Sequence, residues 1–145
     1  MKPVPLAIAA VLSVASLAAC ASGPRMSDDQ KLALYRQNAG EPVSKIRYHG
    51  TLRSWEPLGD QALAVWVRAN EGYLLTLDAH CPDLEFGRAI SIGDQTGDVF
   101  AGFDSVRVHG STGTGLACRI RTIQPLDHEA LRKDEKAVRQ SAGGT

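Results

Sequence analysis

Residues 63–77 read LAVWVRANEGYLLTL, and this stretch decides the fold. Apolar residues alternate on either side of a short polar break. Val65 and the apolar residues two positions away would share one face of a strand, with Trp66 on the other, because successive strand side chains point to opposite faces. The break at residues 70–72 is short, so the two strands form an antiparallel hairpin that is covered on both faces.

Shorter segments with the same period of two lie on both sides of this hairpin. One runs from Ile46 to Arg53, and others begin near Phe86, Val106 and Cys118. The connections between them are too short for crossover helices, which favours antiparallel neighbours. About six strands result, and coverage on both faces indicates a strongly curved sheet or a small barrel.

A helix is predicted at each end of the sheet. Ser27 and Gln30 have the spacing of a capping box, and Gly40 ends the helix that follows. Asp127 caps the second helix, and the apolar residues just before it and four positions after it fit a hydrophobic staple. The predicted fold class is therefore α+β, with a mainly antiparallel sheet or barrel flanked by an N-terminal and a C-terminal helix.

The N-terminal residues have the features of an export signal. Lys2 supplies positive charge, and the apolar run that follows is shorter than the ~20 residues that a spanning helix needs. The run closes with LAAC at residues 17–20, which resembles the lipobox of bacterial lipoproteins. We therefore predict removal of residues 1–19 and attachment of lipid, including palmitate, to Cys20. The alternative is ordinary cleavage near Ala19 or Ala21, which would leave Cys20 unmodified.

The predicted export signal also sets the boundaries of the segments that follow it. Residues 20–26 would be the lipidated cysteine and a short tether, residues 27–139 one globular domain, and residues 140–145 a disordered tail. Residue 21 is alanine rather than aspartate, which favours the outer membrane by resemblance to the sorting rule of Gram-negative bacteria. The predicted location is the cell envelope, on the outer membrane and facing the periplasm.

Charge and cysteine content narrow the function classes. Sixteen basic residues balance sixteen acidic ones, and no basic stripe indicates binding of nucleic acid. Three cysteines are an odd count, but lipid on Cys20 leaves Cys81 and Cys118 as a pair in an oxidising compartment. We predict a disulfide between them, with α-carbons about 5–6 Å apart. Two buried, unpaired thiols are the alternative.

The sequence contains only weak motifs for phosphate binding, catalysis or metal binding. The glycine-rich residues 110–115 lack the lysine of a phosphate loop and are followed by a strand, which indicates a hairpin loop. His80 is a poor base for Cys81, because adjacent residues of an extended chain point in opposite directions. Closely spaced zinc ligands do not occur. Asp78, Asp83 and Glu85 form an acidic trio of a kind that most domains of this size contain.

The two tryptophans and a tyrosine are the remaining large features. Trp66 lies in an apolar strand, which favours a place in the core. Trp55 precedes Pro57 at a strand end and is also assigned to the core, although a partly exposed contact is the alternative. Trp55 and Tyr48 are the residues that a ligand in a barrel mouth would touch.

Five segments together resemble a known family. They are SWEPLGD at 54–60, ALAVW at 62–66, CPDLEF at 81–86, CRIR at 118–121 and IQPLD at 123–127. The combination is similar to domain-of-unknown-function family 6491, small proteobacterial lipoproteins. The resemblance implies a single domain, an envelope location and the pairing of Cys81 with Cys118. It implies no catalytic residue.

Three hypotheses of function follow. The leading one is a non-enzymatic, outer-membrane lipoprotein that acts as an accessory or interaction module. The second is a small-ligand-binding β-barrel lipoprotein, and the third is an envelope hydrolase whose residues converge only in space. No cofactor and no metal are predicted. The expected partners are the membrane, through the lipid anchor, and an envelope protein, and the oligomeric state stays open.

Overall fold

The computed structural model describes residues 25–93, 97–110 and 115–143. Its elements in chain order are α1 (Asp28–Gln37), β1 (Lys45–Arg47), β2 (Ser54–Pro57), β3 (Ala62–Arg68), β4 (Glu71–Leu77), a 3₁₀ turn (Leu84–Phe86), β5 (Gly87–Ile92), β6 (Asp98–Phe100), β7 (Ser105–Gly110), β8 (Ala117–Leu126) and α2 (His128–Gly143). Six strands form an antiparallel half-barrel in the order β2-β3-β4-β8-β7-β5, and β1 pairs with β6 in a small second sheet. The predicted α+β class is confirmed.

The half-barrel is covered on both faces, as the alternation in β3 predicted. Leu63 and Val65 of β3 belong to a large core cluster that also takes Ile46 and Val99 from the small sheet. The intervening side chains of β3, with Leu74 of β4, belong to a second cluster under the two helices. The molecule therefore has three layers, with the six-stranded sheet in the middle.

Both helix starts follow the sequence signals. The Ser27 hydroxyl accepts the Gln30 N–H, and the Gln30 side chain accepts the Ser27 N–H in return. The Asp127 carboxylate accepts the N–H of Ala130 at 3.0 Å and so caps α2. At its other end, α2 extends to Gly143, so that the helix includes residues 140–143, which the sequence assigned to a tail.

The strand predicted from Ile46 to Arg53 does not form as one element. Gly50 has φ +75°, a left-handed conformation that glycine adopts at little cost. The chain turns there and leaves β1, which pairs with β6, to start β2 at Ser54, which pairs with β3. Alternation alone could not reveal the turn, because polar and apolar residues keep their period of two across it.

Strand β8 joins the parts of the molecule. Its first residues pair with β7, and the stretch from Ile120 to Leu126 pairs with β4. Beyond the end of the β7 pairing, the Ile123 carbonyl accepts the N–H of Val43, and the Pro125 carbonyl accepts the N–H of Gly40, both at 2.8 Å. The alternation of Cys118 and Ile120 with Arg119 and Arg121 predicts a last strand of these four residues, which is shorter than the observed Ala117–Leu126.

Candidate functional site

The predicted cysteine pair forms a disulfide. The α-carbons of Cys81 and Cys118 lie 5.7 Å apart across a sequence separation of 37 residues, consistent with the expected pairing. His80 does not approach either sulfur as a base. Its Nδ1 contacts the carboxylate of Asp60 on an exposed surface. The arrangement leaves no thiol for nucleophilic catalysis at this position.

The acidic trio is not assembled as a site. Asp78 binds Arg121, whose Nε lies 3.2 Å from Oδ1 of Asp78 and whose Nη2 donates to the Asp78 carbonyl. Asp83 precedes the 3₁₀ turn with φ 65°, and Glu85 is exposed. Within the described ranges, no group of three or more His, Cys, Asp or Glu side chains is placed to hold a metal ion. The glycine-rich loop lies outside the described residues except for its two end glycines.

Tyr48 and Trp55, the predicted ligand contacts, both pack at the large core cluster. Tyr48 is 4 % exposed and belongs to the large core cluster, with Trp55 packed against it. Trp55 extends from the edge strand β2 towards the opposite edge strand β5, where a Cβ at Gly87 would lie 3.3 Å from its ring. The indole of one edge strand thus approaches the other edge strand at Gly87. This agrees with the core assignment of Trp55.

A polar cleft of about 430 Å³ opens on the other face of the sheet, between α2 and the strands β2 and β3. We call it the α2 cleft. Its helix wall consists of side chains three or four positions apart, which places them on one face of α2. The residues that line it are Tyr35, Arg53, Ser54, Glu56, Trp66, Ala69, His128, Leu131, Arg132, Glu135 and Arg139. It is the candidate functional site.

A tyrosine and two carboxylates close one end of the α2 cleft. The Tyr35 hydroxyl lies 2.6 Å from Oε2 of Glu56 and 3.2 Å from Oε1 of Glu135. Burial, and after it these two carboxylates, raise the pKa of Tyr35 well above its usual value. The phenol therefore remains a donor. Lys31 forms an ion pair with Glu56, and Arg139 lies 3.6 Å from Glu135.

An aromatic wall lies beside this group. Ser54 pairs with Trp66 across β2 and β3, so both side chains point towards the helices. The Trp66 ring meets His128 of α2 edge to face, with ring centroids 5.4 Å apart. It also lies over Gly72 of β4, where any Cβ would collide with the indole. The glycine thus lets the tryptophan lie across its neighbouring strand.

Two arginines at the α2 cleft have no partner within residues 25–93, 97–110 and 115–143. The guanidinium groups of Arg53 and Arg132 make no hydrogen bond or ion pair with another described residue, and both side chains are exposed. Arg53 is positioned by its backbone, whose N–H donates to the carbonyl of Trp66 at 2.8 Å. The cleft is therefore lined by an aromatic side chain and by two arginines without a partner in the described part of the chain, a combination that suits an anionic ligand.

The sequence did not reveal this cleft. Tyr35 and Glu135 are one hundred positions apart, and no local motif connects them. The one available signal was the spacing of His128, Arg132, Glu135 and Arg139, which places polar residues along one side of the second helix.

A model of a family of unknown function, DUF6491, matches residues 3–142. The chain belongs to this family. The match spans nearly the whole sequence and confirms the resemblance seen in the five segments. Searches of curated proteins and of solved structures found no match. Membership of DUF6491 therefore establishes the family and leaves activity to be inferred from the residues.

The predicted lipid-attachment site is not part of this geometry. Cys20 lies outside the described residues, which begin at Arg25. Neither described helix has the length and apolar character needed to cross a bilayer.

Proposed function

We propose that the protein is a lipid-anchored accessory module of a Gram-negative cell envelope, which acts by binding and not by catalysis. The single observation that carries this proposal is the LAAC sequence at residues 17–20, where Cys20 would receive the lipid. Six residues separate Cys20 from Ser27, the N-cap of α1. Fully extended, they reach only about 20 Å. The domain would then lie close to the outer membrane, facing the periplasm.

The binding role is supported by the way the domain is packed. Both faces of the half-barrel are filled by core clusters, so the interior offers a scaffold and not a chamber. The disulfide occupies the only cysteines of the predicted mature chain other than Cys20. The chemically varied surface lies outside, in the α2 cleft. An envelope protein or a small molecule could bind there without entering the core.

A Cys20→Ser variant tests the anchor. Cells that produce the full chain are labelled with a fatty-acid analogue, and the protein is isolated and examined for label. We expect label on the natural protein and none on the variant, which should also lose its membrane association, because several acyl chains are needed for firm anchoring. Cys118→Ser is the matched control, since it alters a cysteine outside the lipobox and should keep the label. Equal labelling of Cys20→Ser and the natural chain would refute the anchor.

A further inference from the structure

We propose that the α2 cleft binds an oxyanion, a carboxylate or a phosphate, carried on an apolar or aromatic group. Arg53 and Arg132 would hold the anion, and Trp66 would contact the carrier. The volume of about 430 Å³ suits a small molecule or the end of a larger one. The inference rests on the proposed function only in treating the domain as a binding module, and it does not require the lipid.

The cations at the cleft are available. Arg68 pairs with Glu71 and Arg121 pairs with Asp78, both away from the cleft. By contrast, no described carboxylate pairs with Arg53 or Arg132. Arg53 and Arg132 come from different walls, the sheet side and the helix side. A guanidinium donates two parallel hydrogen bonds to a carboxylate or phosphate, which a point charge cannot do. Two arginines that line one cleft and pair with no described residue therefore favour an oxyanion.

The glutamates at the cleft do not oppose this assignment. Glu56 is engaged by the Tyr35 hydroxyl and by Lys31. Glu135 is engaged by the same hydroxyl and by Arg139. Both carboxylates are thus committed at the end of the cleft that Tyr35 closes. The positive charge of the two free arginines is left for a ligand.

Trp66 indicates which kind of chemical group carries the anion of the ligand. Its ring is only partly buried, and the edge-to-face contact with His128 fixes its orientation. A partly buried, oriented indole in a cleft offers apolar area and part of a π face. A ligand with an aromatic or aliphatic group next to its anion would use this surface and the arginines together. An anion without such a group would use only the arginines.

Binding can be followed at the two tryptophans. The full chain is labelled with ¹⁵N, purified in a non-ionic detergent, and titrated with phenyl phosphate, benzoate, inorganic phosphate or neutral benzyl alcohol. The two tryptophans give two indole N–H signals, assigned with Trp66→Phe. We expect the Trp66 signal to move saturably with the two aromatic anions and the Trp55 signal to stay, because Trp55 packs against the core. Inorganic phosphate should bind more weakly, and benzyl alcohol should have no effect.

Arginine variants test whether Arg53 and Arg132 hold the anion. Arg53→Gln with Arg132→Gln should weaken binding about tenfold or more, because charged hydrogen bonds are lost. Arg88→Gln on the opposite edge strand is the matched control and should bind like the natural chain. An unchanged Trp55 signal shows that a variant is folded, and each single variant is used if the double variant is not. A Trp66 signal that stays still up to about 10 mM aromatic anion, or one that moves equally in the arginine variants, overturns the proposal. Neither result bears on acylation of Cys20.

Discussion

Tyr35 joins three elements through one hydroxyl. It is 2 % exposed, and its phenol lies between Glu56 of β2 and Glu135 of α2. No sequence rule could identify this contact, because the three residues are far apart in the chain and each is ordinary in its own segment. The spacing of Leu32, Tyr35 and Ala39 predicts that they share one side of the N-terminal helix, and Tyr35 is buried there. What could not be predicted was the polar partner that the buried tyrosine finds.

A Tyr35→Phe variant should lower the free energy of unfolding by about 1–3 kcal/mol, because two partly buried carboxylates lose a donor. Urea unfolding measures the difference. Tyr73→Phe is the matched control. Its hydroxyl donates to one carboxylate, that of Glu71 at 2.8 Å, and its side chain is only partly buried, so its loss should be smaller. Equal stability of Tyr35→Phe and the natural chain would show that the shared hydrogen bond contributes nothing.

Among the elements, the β3–β4 hairpin was predictable and the small sheet was not. Alternation on both sides of a short turn predicts the hairpin. Strands β1 and β6 are three residues each and pair across about fifty positions of chain, so their partnership depends on tertiary packing. The full length of β8 could not be predicted for the same reason. It includes Pro125, a residue that normally argues against a strand.

The disulfide links β4 and β8 just beyond the point where their pairing ends. Strand β4 ends at Leu77, while β8 begins at Ala117, before the first residue that β4 pairs with. The N–H of Asp78 still donates to the Arg119 carbonyl at 3.0 Å. Beyond that point, Cys81 and Cys118 supply a covalent link. The bridge thus holds the end of β4 against the start of β8.

A chain with both Cys81→Ala and Cys118→Ala should be less stable by about 4 kcal/mol, because the bridge closes a long loop in the unfolded state. Urea unfolding of the variant is compared with that of the natural chain before and after reduction. Reduction should destabilise the natural chain and leave the variant unchanged. A natural chain that unfolds at the same urea concentration with and without reductant would contradict a stabilising role for the bridge.

At the scale of the whole molecule, the fold raises the pKa of all three tyrosines. Burial is the first cause for each, and it raises the pKa of Tyr35 and of Tyr48. Burial and the hydrogen bond to Glu71 raise the pKa of Tyr73 to about 12. The unfolded chain would ionise its tyrosines near pH ~10. The folded state is therefore favoured fully below that pH and loses this advantage above it.

The free energy of unfolding should accordingly fall as the pH rises from about 10 towards 12. Urea unfolding at a series of pH values measures this decline, and absorbance of the tyrosinate ion reports ionisation. Tyrosinate should form only as the protein unfolds. The Tyr73→Phe variant should lose stability less steeply over the same range. Full tyrosine ionisation near pH ~10 in a chain that stays folded would contradict the account.

Attachment of the disulfide-tied domain to the membrane through Cys20 is what we propose above all. Its most direct test is intact-mass spectrometry of the natural protein extracted from bacterial membranes. The predicted mass is that of residues 20–145 with a diacylglyceryl group and an amide-linked acyl chain added, less the two hydrogens of one disulfide. An unlipidated chain, whether uncut or cut near Ala19 or Ala21, would contradict the claim.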